Sequence, residues 1–155
     1  MFIGVTGDTH GDTAALRTLA AQKGVAEWLH TGDFCRDARL LQELSGLPVK
    51  AVAGNNDFAP DRFAYNKMLL RGGCKIWLTH GHNCWDLLAE NQRMNADIIV
   101  YGHTHVPDIF RREGILFINP GSPAFPRRGS AKGYALLTAA EGKPPAARFV
   151  ALPAL

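Results

Sequence analysis

Residues 2–11 read FIGVTGDTHG, and this stretch decides the fold. A short apolar run, Phe2 to Thr6, breaks at glycine and hands over to an acid and an imidazole, Asp8 and His10. The following DTAALRTLAAQK, Asp12 to Lys23, places Ala15, Leu16, Leu19 and Ala20 at helical spacing. Asp12 or Thr13 can cap its start and Gly24 can end it. The same unit then recurs. Val25 to Thr31 reads as a strand that stops at Gly32-Asp33, and Asp37 to Leu44 reads as a helix. Val49 to Ala53 is a third strand, ending in Gly54-Asn55-Asn56-Asp57. Strand, polar turn, helix and strand again predict a largely parallel sheet with crossover helices.

Further on, Ala59-Pro60-Asp61 reads as a turn, and Phe63 to Leu70 reads as a short strand or an irregular crossing. Lys75 to Thr79 is a strand ending in His80-Gly81-His82, Cys84 to Met94 a helix, and Asp97 to Tyr101 a strand ending in Gly102-His103-Thr104-His105. The last third is mostly strand, at Gly114 to Ile118, Gly133 to Thr138 and Ala147 to Leu152. Such a tail predicts antiparallel strands that extend the first sheet or build a second.

The chain has 155 residues, which suits a single domain over 1–155. At 46% hydrophobic and 20% charged it has ordinary globular composition, enough to build a core. No apolar run is long enough to span a membrane, and Asp8 interrupts the N-terminal stretch too early for a secretory signal. Three cysteines outside any paired motif fit a reduced, cytoplasmic chain. A net charge of +3 suits a phosphate-bearing substrate and is too weak to predict duplex nucleic acid as a partner.

The chemistry is carried by position. Asp8 and His10, Asp33, Asn55, His80 and His82, and His103 and His105 each follow the end of a predicted strand. In open α/β sheets ligands bind at the carboxyl ends of the strands. Parallel neighbours would therefore carry all five loops to one edge. Residues i and i+2 of an extended segment point the same way, so Asp8-x-His10 and His103-x-His105 can each converge on one point. Oxygen and imidazole donors of this kind suit manganese, nickel, iron or zinc. Eight such groups are too many for one ion and fit two ions that share a carboxylate.

The ordered series Gly-Asp8-Thr-His10, Gly32-Asp33, Gly54-Asn55-Asn56-Asp57, His80-Gly81-His82 and Gly102-His103-Thr104-His105 resembles the calcineurin-like metallophosphoesterases. The short length and Asn119-Pro120-Gly121-Ser122 resemble the small YfcE-type phosphodiesterase branch. The resemblance runs from Phe2 to about Arg128. It implies a four-layer α/β/β/α sandwich of two mixed sheets flanked by helices. It implies that Asp8, His10 and His105 hold one divalent ion and Asn55, His80 and His103 a second, with Asp33 bridging. The implied activity is hydrolysis of a phosphate ester, with a diester favoured, by a hydroxide held between the ions. Manganese is the expected metal, and a small, nucleotide-like phosphate ester the expected substrate; self-association is expected, as in similar small members.

One departure bears on mechanism. Many larger members carry a histidine after the ligand asparagine, and this chain has Asn56, which is no acid. His82, a metal-held water or no group at all remain open as the source of the leaving-group proton. Asn56, Asn119 and Arg127 are candidate substrate contacts, the last within the basic patch Arg127, Arg128 and Lys132. His30 is expected buried behind the site, Cys35 small and buried beside it, and Trp28, Trp77 and Trp85 in the core. Phe58 and Phe63 are candidates for the substrate side. The alternative function is a catalytically weak scaffold resembling the retromer metallophosphoesterase-like subunit. A nuclease of the same broad family would need DNA-binding elements for which 155 residues leave little room.

Overall fold

The structure, a computed structural model, describes residues 2–57 and 63–153. Ten strands and three helices lie among them, in the order β1 (Phe2–Thr6), α1 (Thr13–Ala20), β2 (Val25–His30), α2 (Asp37–Ser45), β3 (Val49–Ala51), β4 (Asn66–Arg71), β5 (Cys74–Thr79), α3 (Leu87–Met94), β6 (Ile98–Val100), β7 (Pro107–Arg112), β8 (Ile115–Pro120), β9 (Gly133–Thr138) and β10 (Ala146–Ala151). The strands form two five-stranded mixed sheets, ordered β10-β9-β1-β2-β3 and β4-β5-β6-β8-β7. The expected four-layer sandwich is the fold found.

Alternation along the strands explains why two sheets meet. Ile3, Val5 and Leu29 from the first sheet and Ile76, Leu78, Ile98, Val100, Leu116 and Ile118 from the second are buried together in one cluster. The intervening residues face outward and need a second cover. On the first sheet Trp28, Tyr134 and Leu136 pack against Leu16 and Leu19 of α1 and Leu41 of α2. On the second, Trp77, Ile99 and Phe117 pack with Leu87, Leu88 and Met94 of α3. Burying such side chains on both faces stabilises each by about 1.5–3 kcal/mol. Glu27 of β2 and Arg71 of β4 tie the sheets together through a bidentate pair at 2.5 and 3.2 Å.

Several sequence expectations are refined. The expected helix from Cys84 begins only at Leu87, because the Asp86 side chain accepts from Ala89 N and sets the cap there. The strand expected from Phe63 runs over Asn66–Arg71 as an edge strand paired with β5. β7 was not legible: its alternation is broken by Pro107, Asp108, Arg111 and Arg112, and pairing with β8 makes it a strand. The Ala59-Pro60-Asp61 turn and Phe58 lie outside the described residues.

Topology also corrects the expected single edge. β1, β2 and β3 run parallel in the first sheet, while β5 and β6 run parallel in the second. The five motif loops therefore come from two sheets, three from one and two from the other. Face-to-face packing brings both sets to a common end.

Candidate metal centre

The loops after β1, β2, β5 and β6 converge. One ligand atom each from Asp8, His10, Asp33 and His105 lie within 4.8 Å of one another. His80 adjoins this group, its Nε2 lying 3.4 Å from Asp33 Oδ1, 3.8 Å from Asp8 Oδ1 and 3.0 Å from Asn55 Oδ1. The His103 ring lies 5.2 Å from that of His80, centroid to centroid. All seven residues expected as ligands are thus neighbours.

The backbone is bent to achieve this. Asp8, His10, Asp33, His103 and His105 have φ of 50°, 48°, 56°, 75° and 62°, a region that L side chains seldom adopt. Each such residue costs about 1–3 kcal/mol and persists where the surroundings impose it. Two glycines make room. A Cβ on Gly54 would stand 2.3 Å from Asp33 Oδ1, and one on Gly102 would stand 2.4 Å from Thr31 Oγ1 and 2.9 Å from Asp8 Oδ2.

Hydrogen bonds fix which face of each imidazole looks inward. His80 Nδ1–H donates to the Thr31 carbonyl at 2.9 Å, and His105 Nδ1–H donates to the Phe125 carbonyl at 2.6 Å. Each ring therefore turns its Nε2 toward the carboxylates. Asp8 Oδ2 accepts from His103 N at 3.0 Å, but Asp8 Oδ1 is buried with no hydrogen-bond partner. Carboxylate oxygens and imidazole nitrogens crowded in this way, one buried oxygen left without a partner, form a pocket of ligand atoms that a cation would satisfy. The donor set, oxygen and imidazole nitrogen, suits a divalent ion of intermediate hardness. The residues fit a metal.

Ionisation agrees. Burial works to raise the Asp33 pKa, but the Asn56 amides, His80 and His10 outweigh it and hold the carboxyl below the usual range. The Asp8 carboxylate, 3.4 Å from its Nε2, is the main reason the His105 pKa is raised, against burial. Burial, then the neighbouring His80, depresses His82 and His103.

The other predicted residues fall in four places. Asn56 donates from its backbone N to Asp33 Oδ1 at 3.0 Å and from Nδ2 to Asp33 Oδ2 at 2.7 Å, so it steadies the acid. Asn119 was expected beyond a strand end and instead belongs to β8. It is 1% exposed, with Nδ2 donating to Gly102 O at 3.2 Å and Thr104 Oγ1 at 3.0 Å. It shapes the His103 loop from beneath rather than facing an open surface. Arg127 and Arg128 border a cavity of about 460 Å³ together with His103 and Tyr101. His82 lines the same end of the molecule, its ring 5.4 Å from His80 and its buried Nδ1 without a partner.

Reading the sequence missed a buried relay. Gly32 N donates to His30 Nδ1, which leaves His30 Nε2–H to donate to Thr9 Oγ1 at 3.0 Å, and Thr9 donates to Asp37 Oδ2 at 2.6 Å. Asp37 also accepts from Gly11 N at 2.8 Å, so the relay pins the Asp8–His10 loop from both sides. Thr9 and Asp37 carried no signal beyond an ordinary turn and helix start. His10 is also flanked by Phe34 and Phe125, at 5.2 and 5.8 Å between ring centroids. Of the tryptophans expected in the core, Trp28 and Trp77 are buried, but Trp85 is fully exposed.

An α/β/β/α sandwich whose strand ends gather acids and imidazoles around an unpartnered carboxylate defines the metallophosphoesterase class. The chain belongs to the calcineurin-like phosphoesterase superfamily, whose domain model matches residues 1–142. It is 33% identical over 142 residues to the probable metallophosphoesterase YsnB of Bacillus subtilis, covering 86% of this chain and 82% of that protein. It is 31% identical over 157 residues to the phosphodiesterase YfcE of Escherichia coli, covering 84% of this chain and 83% of that one. A solved Vps29 from Entamoeba histolytica shares the fold, with a TM-score of 0.77, 21% identity, and 99% of this chain and 100% of that chain covered. No helix among the described residues is long and apolar enough to cross a membrane.

Proposed function

We propose that this chain, acting as one domain in the cytoplasm, is a phosphodiesterase that works with two divalent transition-metal ions. Manganese is the first choice, and its substrate is a small, nucleotide-like phosphate ester. The observation that carries the reading is the orphaned, buried Asp8 Oδ1 among inward-facing imidazole nitrogens. Asp8, His10 and His105 would hold one ion, and Asn55, His80 and His103 the other. What supports Asp33 as the shared ligand is that its two oxygens look opposite ways, Oδ2 3.6 Å from His10 Nε2 and Oδ1 3.4 Å from His80 Nε2. When bound, the ions supply Lewis-acid neutralisation of phosphoryl charge and acidify a water to the nucleophile.

The chain's own residues do the rest. Asn56 clamps both Asp33 oxygens and keeps that carboxylate oriented. Asn55 brings a neutral oxygen in place of a third carboxylate, which leaves the site less negative for an incoming phosphate. Arg127 offers charge to the anionic substrate from the rim. No protonated group stands at position 56, so leaving groups that depart as stable anions are favoured. His82 orients the substrate or its departing oxygen from beside His80 and His103. Attack by water needs no covalent intermediate on Ser or Cys.

The test is hydrolysis of bis(p-nitrophenyl) phosphate and p-nitrophenyl phosphate by chelated protein refilled with manganese, nickel, zinc or magnesium in turn. Activity that returns with a transition metal and favours the diester is expected. Two ions bound per chain with no turnover for any metal would move the reading to a scaffold, the use that the shared fold with Vps29 keeps in view.

A further inference from the structure

Beside the centre, on the side of the second sheet, lies a cavity of about 570 Å³. Gly81, His82, Gly102 and His103 are among the residues that line it, so it adjoins the candidate centre through His103. Its remaining walls are of a different kind. Phe117 is buried and Phe110 lies flat against it, with ring centroids 4.7 Å apart and planes 8° apart. Leu87 and Leu88 come from the first turn of α3, and Tyr101 lines both this cavity and the Arg127–Arg128 cavity. Trp85 stands at the rim with a relative exposure of 106%, three positions beyond His82.

A fully exposed tryptophan leaves its large apolar surface in water, and scattered exposed residues usually need no account. Here the indole borders a concavity of small-molecule size lined by aromatic and aliphatic side chains and by His103 of the candidate centre. A carboxylate at the rim, Asp86, is engaged in capping α3. Arg112 lines the same cavity. A short alkyl group covers little of a ring face, whereas a planar π-system can stack on it over its whole area.

We infer that the Trp85 cavity receives a planar aromatic group esterified to the phosphate handled at the neighbouring centre, such as a nucleobase-bearing or aryl ester group. This rests on the phosphoesterase reading of that centre and narrows its substrate class. Stacking is tolerant of which ring is bound, so the cavity selects aromatic esters over alkyl ones and discriminates weakly among bases. The Arg127–Arg128 cavity shares Tyr101, His103 and Thr104 with it and takes the opposite, anionic end of such a substrate.

The experiment compares ligands that differ only in the ring. Adenosine 5′-monophosphate is titrated against ribose 5-phosphate, and phenyl phosphate against methyl phosphate, on the manganese-loaded protein. Affinity is read both from inhibition of diester hydrolysis and from direct calorimetry. Each aromatic member is expected to bind about tenfold tighter or more, the scale of one ring stacking on an aromatic side chain. Trp85→Ala should abolish that preference and Trp85→Phe should restore most of it. Adenosine, which carries no phosphate, should shift the Trp85 indole N–H resonance of metal-free protein at millimolar concentration. A preference shown by only one of the two pairs assigns the source as nucleobase or simple aryl group. Equal affinities within both pairs, or equal losses for both members in Trp85→Ala, overturn the inference. So does an indole resonance that ignores adenosine and moves only with protein concentration, which would make the face a contact between copies. If no metal restores hydrolysis, the titrations and the resonance still decide the pocket, so the two readings fail separately.

Discussion

The two halves of the centre are built differently. Asp8, His10, Asp33 and His105 form a closed cluster: three of the four are buried, all four have positive φ, and their ligand atoms crowd within 4.8 Å. Asn55, His80 and His103 form an open one, in which His80 is buried but Asn55 and His103 face solvent. The closed half is braced from outside by the His30–Thr9–Asp37 relay and by the Phe125 carbonyl on His105. The open half leads into the two cavities that His103 borders. A half whose geometry is imposed before anything binds can hold an ion tightly. A half left open gives substrate and solvent their way in.

Removing the residue common to both halves should have the largest effect. Asp33→Ala is expected to lower kcat/KM for bis(p-nitrophenyl) phosphate by more than the ~10–100-fold typical of groups that only orient a ligand. Metal analysis of the dialysed variant should show ions lost from both halves; full occupancy would remove Asp33 from the shared position. Next comes a direct contrast between the halves. His105→Ala should weaken the tighter of two manganese-binding steps, and His103→Ala the weaker one, each by about tenfold or more in calorimetry. If both variants altered the same step, the division drawn here would fail.

A smaller effect is expected from packing alone. Gly54→Ala would put a methyl group 2.3 Å from Asp33 Oδ1, and the acid must move. Overpacking of this kind costs about 1–3 kcal/mol, which should appear as a lower Tm together with weaker metal binding. Unaltered metal affinity would show that Asp33 tolerates displacement.

The smallest effect lies behind the closed half and depends on pH. Burial, against the pull of Asp37, Asp8 and Asp57, lowers the His30 pKa, so the folded chain keeps this ring neutral. The unfolded chain takes up the proton near the ordinary value of about 6.5. Stability contributed by the neutral ring is therefore full above about pH 6.5 and falls as the pH drops toward the depressed folded value. The Tm of His30→Gln should decline less steeply than that of the parent between about pH 7.5 and about pH 5.5. Parallel declines would show that His30 titrates alike in both states.

Legibility followed locality. β1, β2 and the helix α1 between them were readable because each depends on its own pattern of apolar residues, and α1 on its Asp12 cap. β7 was not, since Pro107–Arg112 has no such pattern and becomes a strand by pairing with β8. Trp85 was read as core because tryptophans usually are, yet the Asp86 cap delays α3 to Leu87 and leaves that ring outside the helix packing. Thr9 and Asp37 were invisible because a relay needs partners 21 and 28 positions apart, which no local pattern encodes.

The sequence by itself determined which residues could do chemistry and that they would sit at strand ends. Asp8-x-His10, Gly32-Asp33, Asn55, His80 and His103-x-His105 each follow an apolar run, and strand periodicity sets where such runs stop. Only the tertiary structure decided how those residues are shared. The motif loops come from two sheets, and a common core across Ile3, Val5, Ile76 and Ile98 fixes the register of one sheet on the other. Burial then leaves Asp8 Oδ1 without a partner and forces five backbone positions into left-handed φ. Those are properties of packing, because desolvation and imposed strain exist only once the rest of the chain has closed around the site.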